Sequence, residues 1–213
     1  RCDAARIAEE LWVLPEWFHL TQLGLKAEAM ADEPWDDLRA LLTDACLSQP
    51  QCVVHRDFHS RNIMCLPDDR LGLIDFQDAV VGPITYDPVS LLKDCYIQWP
   101  RSDQLRWLES YRQTLLSTGV LVPGESAFIR DFDLVGLQRH LRVLGVFARL
   151  CLRDGKPDYL KDLPLVLAYT REALALYKSE PAIAAFSEWF EGVVMPRIAT
   201  QEWYQQAAKK LGA

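Results

Sequence analysis

Two stretches, HRDFHSRN at residues 55–62 and IDF at residues 74–76, decide the prediction of the fold. Between them lie two short apolar runs, IMCL and LGLI, which are separated by PDDR at residues 67–70. Apolar runs of this length around a turn rich in proline and aspartate are typical of a β-hairpin. The sequence therefore predicts a small hairpin whose two strands connect the two polar stretches.

The register of this hairpin predicts which polar side chains meet. A turn centred between Asp68 and Asp69 sets Asn62 opposite Asp75, at the open end of the hairpin. Asp57 precedes the first strand, on the loop that feeds it. In this prediction one amide oxygen and two carboxylates converge on a single place.

Phosphoryl transfer requires such a set of groups. A carboxylate accepts the proton of the attacking hydroxyl, and hard oxygen ligands hold the Mg²⁺ that neutralises charge on nucleotide phosphates. The pattern Asp-x-x-x-x-Asn, followed after a hairpin by an apolar residue, Asp and Phe, is a specific signal. The alternative interpretation is a polar turn whose Asn and Asp side chains only cap the backbone.

The rest of the chain shows helical periodicity. A short amphipathic helix is predicted at 36–45, and Asp87 followed by proline is read as an N-cap that starts another helix. The strongest pattern, at 131–153, places apolar residues on one helix face: Leu134, Leu137, Leu141, Leu144, Ala148 and Cys151. Further helices are predicted from residue 102 or 103 and near 160–178, 182–194 and 200–210. The predicted fold class is α+β, mainly α, with a small β-hairpin in a helical body.

Composition and charge exclude several classes of protein. The chain has 213 residues, of which half are apolar and a quarter charged, which is typical of a globular protein rather than a disordered one. No apolar run approaches the ~18 residues of a membrane span. The net charge of −7 argues against binding to nucleic acid or to anionic membranes. The six cysteines form no Cys-x-x-Cys pair, and a reducing cytoplasm is the predicted location.

The loop pattern His-x-Asp-x-x-x-x-Asn with a later Ile-Asp-Phe resembles the kinase-like phosphotransferases, the group of aminoglycoside phosphotransferases and choline kinases. Protein kinases carry Lys and Gly where this chain has His59 and Gln77, so a small-molecule kinase is favoured. The resemblance is strongest to the anomeric N-acetylmuramate/N-acetylglucosamine kinases of bacterial cell-wall recycling. The similar stretches are residues 54–64, 73–79, 86–94 and 145–150.

The resemblance implies roles for individual residues. Asp57 is implied as the catalytic base that activates the sugar hydroxyl, and His55 as a residue that braces the loop. Asn62 and Asp75 are implied as the ligands of Mg²⁺, with ATP as the phosphate donor.

Three further residues are candidates for substrate binding. Asp78 either helps to bind metal or substrate or satisfies a turn. His59 either contacts substrate or phosphate or packs under the loop. Arg56, beside the implied base, either meets substrate or supports the loop. The residue pattern leaves all three choices open.

The chain departs from the family pattern at its beginning. Family members start with an N-terminal lobe, a β-sheet with a nucleotide-covering loop and a Lys–Glu pair. Here the ten glycines form no Gly-x-Gly, Lys26 is the only lysine before the catalytic loop, and the chain starts at Arg1 rather than Met. We therefore expect a C-terminal lobe with a helical entry at 1–50, a catalytic loop and metal hairpin at 51–86 and a helical substrate-side subdomain at 87–213.

The predicted function is transfer of the γ-phosphate of ATP to the anomeric hydroxyl of N-acetylmuramate or N-acetylglucosamine. The predicted partners are the sugar, ATP and the missing N-terminal lobe, and neither nucleic acid nor a membrane. Two alternatives stay open at this point. One is a related kinase for an aminoglycoside or choline, and the other is a non-catalytic sugar-binding fragment that lacks the nucleotide lobe.

Overall fold

The computed structural model of the protein describes residues 2–211, and at the last two of these it describes the backbone alone. The described chain forms two compact units. The first contains the residues up to Ala4 and Asp44–Gly136, and the second contains Ala5–Thr43 and the residues from Leu137 onward. Within 2–211, no helix is both long enough and apolar enough to cross a bilayer.

The first unit contains two separate two-stranded antiparallel sheets. Strand β1 (Gln51–Val54) pairs with β4 (Val80–Pro83), and β2 (Ile63–Cys65) pairs with β3 (Leu71–Leu73). The β2–β3 hairpin confirms the predicted one. Strand β4 is absent from the sequence-based prediction because its four residues, VVGP, contain only two strand-forming side chains. Its strand conformation depends on its pairing with β1.

The hairpin register differs by one residue from the predicted register. The Ile74 N–H donates to the Asn62 carbonyl at 3.2 Å, so Asn62 lies opposite Ile74 and not opposite Asp75. The cause lies in the turn, where Asp68 and Asp69 both have left-handed backbones with φ of 63° and 56°. The turn is centred on Asp68 itself, whereas the predicted turn was centred between the two aspartates.

Helices complete the first unit: α3 (Tyr86–Leu92), α4 (Arg101–Ser117) and the first part of α5 (Glu125–Leu152). Asp133 of α5 lies in the interior of this unit, where it pairs with Lys93 at 2.9 Å and takes two hydrogen bonds from Arg101 at 2.7 and 2.6 Å. Burial by itself disfavours the charged form of Asp133, but the hydrogen bonds and charges of these two cations hold the pKa of its carboxyl below the usual value.

The second unit is wholly helical in its regular structure. It contains α1 (Ala4–Val13) from Ala5 onward, the π-helical segment Leu14–Gln22 and α2 (Asp32–Leu47) as far as Thr43. The later part of α5 passes close to this segment, since a Cβ at Gly145 would lie 2.5 Å from the Val13 carbonyl. The remaining helices are α6 (Leu163–Leu176), α7 (Pro181–Trp189), α8 (Met195–Ala199) and α9 (Glu202–Leu211).

The predicted helices agree with these bounds to within a few residues, except at the start of α5. Helix α5 begins at Glu125 rather than near residue 131. Five of its six predicted face residues are fully buried: Leu134, Leu137, Leu141, Leu144 and Ala148. The α+β, mainly α, fold class predicted from the sequence is confirmed.

A neutral histidine lies in the core of the second unit. His19, in the π-helical segment, is 1% exposed, and neither of its ring nitrogens has a hydrogen-bond partner among residues 2–211. Its ring makes an edge contact with Trp189 at 5.1 Å between centroids. Burial lowers the pKa of His19 to about 3, because the charged imidazolium would lose its hydration.

Replacing His19 by Phe should flatten the pH dependence of stability. Between the ordinary pKa of 6.5 and the folded value of about 3, the unfolded chain binds a proton that the folded chain excludes. The wild-type free energy of unfolding should therefore fall, relative to that of the variant, by about 1.4 kcal/mol per pH unit below pH 6.5. Urea denaturation at several pH values measures this slope.

Phe18→Leu is the matched control, because it destabilises the same segment without removing an ionisable group. It should keep the wild-type slope. Equal slopes for wild type and His19→Phe would contradict a buried, neutral His19.

Candidate active site

The backbone of the catalytic loop is held by a carboxylate of α3. The N–H of His55 donates to Asp87 Oδ2 at 2.7 Å, and the N–H of Arg56 donates to Asp87 Oδ1 at 3.0 Å. Arg56 has a left-handed backbone, with φ of 75°, which a non-glycine residue adopts only where its surroundings enforce it. The two hydrogen bonds that Asp87 accepts stabilise this conformation.

The predicted role of Asp87 as an N-cap is wrong. The residue that precedes α3 is Thr85, and Asp87 lies inside the first turn of the helix. Its carboxylate is occupied by the catalytic loop, more than thirty residues earlier in the chain. The Asp-Pro pair by itself is typical of a helix start. The sequence near Asp87 carries no signal that its carboxylate accepts hydrogen bonds from backbone N–H groups far away in the chain.

Two further contacts fix the loop. Ser90 of α3 donates to the Arg56 carbonyl at 3.1 Å. His55 Nε2 lies 3.0 Å from the carbonyl oxygen of Ile74, which immediately precedes Asp75. This hydrogen bond joins the loop to the residue that directly follows β3.

Asp57 and Asn62 meet through the backbone. The Asp57 carbonyl accepts hydrogen bonds from Asn62 Nδ2 at 2.9 Å and from the His59 N–H at 3.0 Å. Because the amide nitrogen of Asn62 is used in this way, its Oδ1 is directed away from the bond and is the atom left for a ligand. The Asp57 side chain is half-buried.

Asp75 stands where the chain leaves the hairpin. Its φ of 66° is left-handed, so the chain turns sharply directly after the residue that pairs with Asn62. Its carboxylate is exposed, and Oδ1 accepts a hydrogen bond from Gln77 Nε2 at 2.6 Å. Asp78 lies two residues before β4, on an exposed turn closed by the hydrogen bond from Ala79 N to Phe76 O at 3.1 Å.

A second carboxylate holds the other end of the loop. Asp94, which is 1% exposed, accepts hydrogen bonds on Oδ2 from the Ser60 N–H at 3.1 Å and the Ser60 hydroxyl at 2.6 Å. Its Oδ1 accepts from the Tyr96 N–H at 3.2 Å. Ser60 begins the 3-10 turn that carries Asn62, so Asp94 positions that turn.

Tyr96 lies against two side chains of the loop. The ring of His59 meets it edge-on at 5.6 Å between centroids, and the guanidinium carbon of Arg61 lies 3.4 Å from the centre of its ring. Asp94, Tyr96 and Arg61 were not candidates in the sequence-based prediction. The only signal for Asp94 was its place in the similar stretch 86–94, which carries no information about its partner.

The charge of Asp87 affects its neighbours. Burial, followed by the charges of Cys52 and Asp87, raises the pKa of Tyr111 to about 12. Burial and then Asp87 raise the pKa of the Cys52 thiol.

Within residues 2–211, no group of three or more His, Cys, Asp or Glu side chains is arranged to hold a metal ion. Asn62 and Asp75, the two residues that the sequence implies as Mg²⁺ ligands, lie on paired segments, since Ile74, the residue before Asp75, donates to the Asn62 carbonyl.

Comparison with known proteins places this geometry in a family. The family model described as "Phosphotransferase enzyme family" (APH) matches residues 3–126, more than half of the chain. The chain belongs to this phosphotransferase family. The matched range includes the catalytic loop, the hairpin and α3, so the resemblance predicted from the loop pattern is confirmed.

Curated relatives match a larger part of the chain. The N-acetylmuramate/N-acetylglucosamine kinase of Pseudomonas putida is 42% identical over 187 residues, which are 87% of this chain and 54% of that protein. The enzyme of the same name from Neisseria meningitidis is 40% identical over 82% of this chain and 52% of its own length. That from Caulobacter vibrioides is 30% identical over 90% of this chain and 50% of its own. The chain spans about half the length of the curated relatives it matches.

Replacing Asp87 by Asn should destabilise the first unit and disorder the loop. An amide has one acceptor oxygen where the carboxylate has two, so one of the backbone N–H groups of His55 and Arg56 loses its partner. A buried donor left without a partner costs about 1–3 kcal/mol. Chemical denaturation measures the loss.

Asp69→Asn is the matched control for this charge removal. Asp69 is exposed on the hairpin turn, where Asn tolerates the same left-handed backbone. The free energy of unfolding of Asp69→Asn should stay within about 0.5 kcal/mol of the wild-type value. Equal stability of Asp87→Asn and Asp69→Asn would mean that the Asp87 contacts contribute nothing.

Proposed function

We propose that the complete protein is an ATP-dependent sugar kinase, which phosphorylates the anomeric hydroxyl of N-acetylmuramate and N-acetylglucosamine in peptidoglycan recycling. The observation that carries the proposal is the loop from Asp57 to Asn62, joined by His55 to Ile74, the residue before Asp75, and held by α3. The chain's membership of the phosphotransferase family supports the reaction. Relatives named N-acetylmuramate/N-acetylglucosamine kinase, 40–42% identical to this chain, support the reaction and the acceptor.

Asp57 is the proposed base. Its half-buried carboxylate accepts the proton of the anomeric hydroxyl as that oxygen bonds to the γ-phosphorus of ATP. The bond from phosphorus to the bridging oxygen breaks at the same time, and ADP leaves with that electron pair. An anomeric hydroxyl is more acidic than an ordinary alcohol, so a single carboxylate is a sufficient acceptor.

Asn62 and Asp75 are the proposed ligands of Mg²⁺. The amide oxygen of Asn62 is left for a ligand by the hydrogen bond of Nδ2 to Asp57 O, and the Asp75 carboxylate is exposed. Both donors are hard oxygens, which Mg²⁺ prefers, and a site with few protein ligands suits an ion that keeps several waters. When bound, the ion supplies positive charge against the nucleotide phosphates.

His55, Arg56, His59 and Asp78 complete the proposed site. His55 braces the loop through Ile74, while the other three are proposed to contact substrate from the loop and from the turn after the hairpin.

A nucleotide-covering lobe outside these 213 residues is part of the proposal, with 1–213 as the C-terminal lobe and divisions after residues 50 and 86. Large apolar side chains on and around the hairpin support it. Eight of them are 41–75% exposed: Val53, Met64, Leu66, Leu71, Leu73, Ile74, Phe76 and Val81. An apolar surface of this kind on a folded unit is typical of one that another domain covers.

A cytoplasmic location is also proposed. The reaction uses ATP, and all six cysteines are thiols in the structure. Free thiols are typical of proteins in a reducing compartment.

The substrate assignment is tested on the complete protein with ATP, Mg²⁺ and a panel of acceptors. We expect sugar 1-phosphates from N-acetylmuramate and N-acetylglucosamine, detected by phosphorus NMR. Phosphorylation of choline or an aminoglycoside alone, or of no acceptor, would overturn the assignment.

Replacing Asp57 by Asn should lower kcat by about 10²–10⁴-fold, which is the typical contribution of a general base. Asp57 bonds its neighbours through its backbone carbonyl, so the fold of the loop should survive the change. Asp44→Asn, an exposed substitution on α2, is the control and should keep wild-type turnover. Turnover of Asp57→Asn within a fewfold of wild type would reject Asp57 as the base.

A further inference from the structure

The positive charge of the Arg61 guanidinium is not paired with a carboxylate among the described residues. Its side chain is exposed, and it has neither a hydrogen bond nor an ion pair within the described part of the chain. Three other arginines of the first unit are paired: Arg101 with Asp133, Arg106 with Asp103 and Arg112 with Glu109. The one strong contact of Arg61 is the ring of Tyr96, 3.4 Å from its guanidinium carbon.

The contact with Tyr96 fixes the guanidinium without using its donors. Stacking on an aromatic face leaves the N–H groups at the edge of the guanidinium plane, where they form a planar fork that matches a carboxylate. A stacked arginine also loses less conformational entropy when it binds, because its side chain is already ordered.

The platform for this stack is itself rigid. The buried Asp94 carboxylate binds the backbone of Tyr96 and both the backbone and hydroxyl of Ser60, the residue before Arg61. One carboxylate therefore holds Tyr96 and the residue that directly precedes Arg61.

Arg61 also stands in a defined place relative to the reaction. It lies in the 3-10 turn between the proposed base, Asp57, and the proposed metal ligand, Asn62. Its side chain packs on Tyr96, which follows α3, and it is four residues from Asp57 and next to Asn62 in the chain.

We propose that Arg61 recognises a carboxylate on the acceptor sugar, and so determines specificity for N-acetylmuramate over N-acetylglucosamine. The inference rests on the proposed function. N-acetylmuramate differs from N-acetylglucosamine by a lactyl ether that ends in a carboxylate, which is the group a planar guanidinium fork fits. The other source of the same chemistry is a nucleotide phosphate, and the experiment separates the two.

The test compares kcat/KM for the two sugars in the complete protein and its Arg61→Gln variant. We expect the ratio of kcat/KM for N-acetylmuramate to that for N-acetylglucosamine to fall about 10–100-fold, as for loss of a charged hydrogen bond. Arg61→Lys should restore part of this ratio. The methyl ester of N-acetylmuramate should be a poorer substrate than the acid for wild type but no poorer for Arg61→Gln.

Control variants separate recognition from structure. Arg70→Gln removes an exposed arginine from the hairpin turn and should leave the ratio unchanged. Tyr96→Phe keeps the ring and should keep the ratio, whereas Tyr96→Leu should lower it.

An equal loss for both sugars with a raised KM for ATP would assign Arg61 to phosphate and overturn the inference, with the proposed function intact. An unchanged ratio in Arg61→Gln would also overturn it. Absence of turnover with either sugar in wild type would instead contradict the proposed function.

Discussion

The Asp87 carboxylate accepts hydrogen bonds from two consecutive backbone N–H groups of the catalytic loop, at 2.7 and 3.0 Å. The site depends on this contact because Arg56, between His55 and Asp57, is held in a left-handed conformation that costs about 1–3 kcal/mol in a free chain. A charged acceptor that serves both amides offsets that cost. Without it, the chain would relax and Asp57 would leave its place beside Asn62.

Helix α3 can hold the loop because the segment around its end is itself anchored. Lys93 and Arg101 pair with the buried Asp133, and Asp94 directly follows Lys93 in the chain. Removing one partner from a buried ion pair destabilises a protein by about 3–5 kcal/mol, since the remaining charge is left uncompensated. The triad therefore fixes the residue that binds Ser60 and Tyr96, and through them the turn of Asn62.

Whether a feature could be predicted from the sequence depends on how far apart in the chain its interacting residues lie. The hairpin and the Asp-x-x-x-x-Asn spacing are local, so the residues of the candidate site could be named before their geometry was known. The register could not, because it depends on two left-handed aspartates in the turn that propensity does not predict. Nor could the roles of Asp87 and Asp94, whose partners in the loop lie over thirty residues away and are mostly backbone groups without a sequence signature.

In this loop, the groups that hold the backbone in place are largely different from the side chains that are proposed to act on substrate. Its support comes mainly through backbone N–H and carbonyl groups, which Asp87, Ser90 and Asp94 bind whatever the side chains of the loop are. In the proposed function, side chains such as those of Asp57 and Arg61 are therefore available for the acceptor. Backbone support of this kind constrains side-chain identity only weakly. In the proposed function, acceptor specificity should then depend on a few loop side chains and on residues that orient them, such as Tyr96 beneath Arg61.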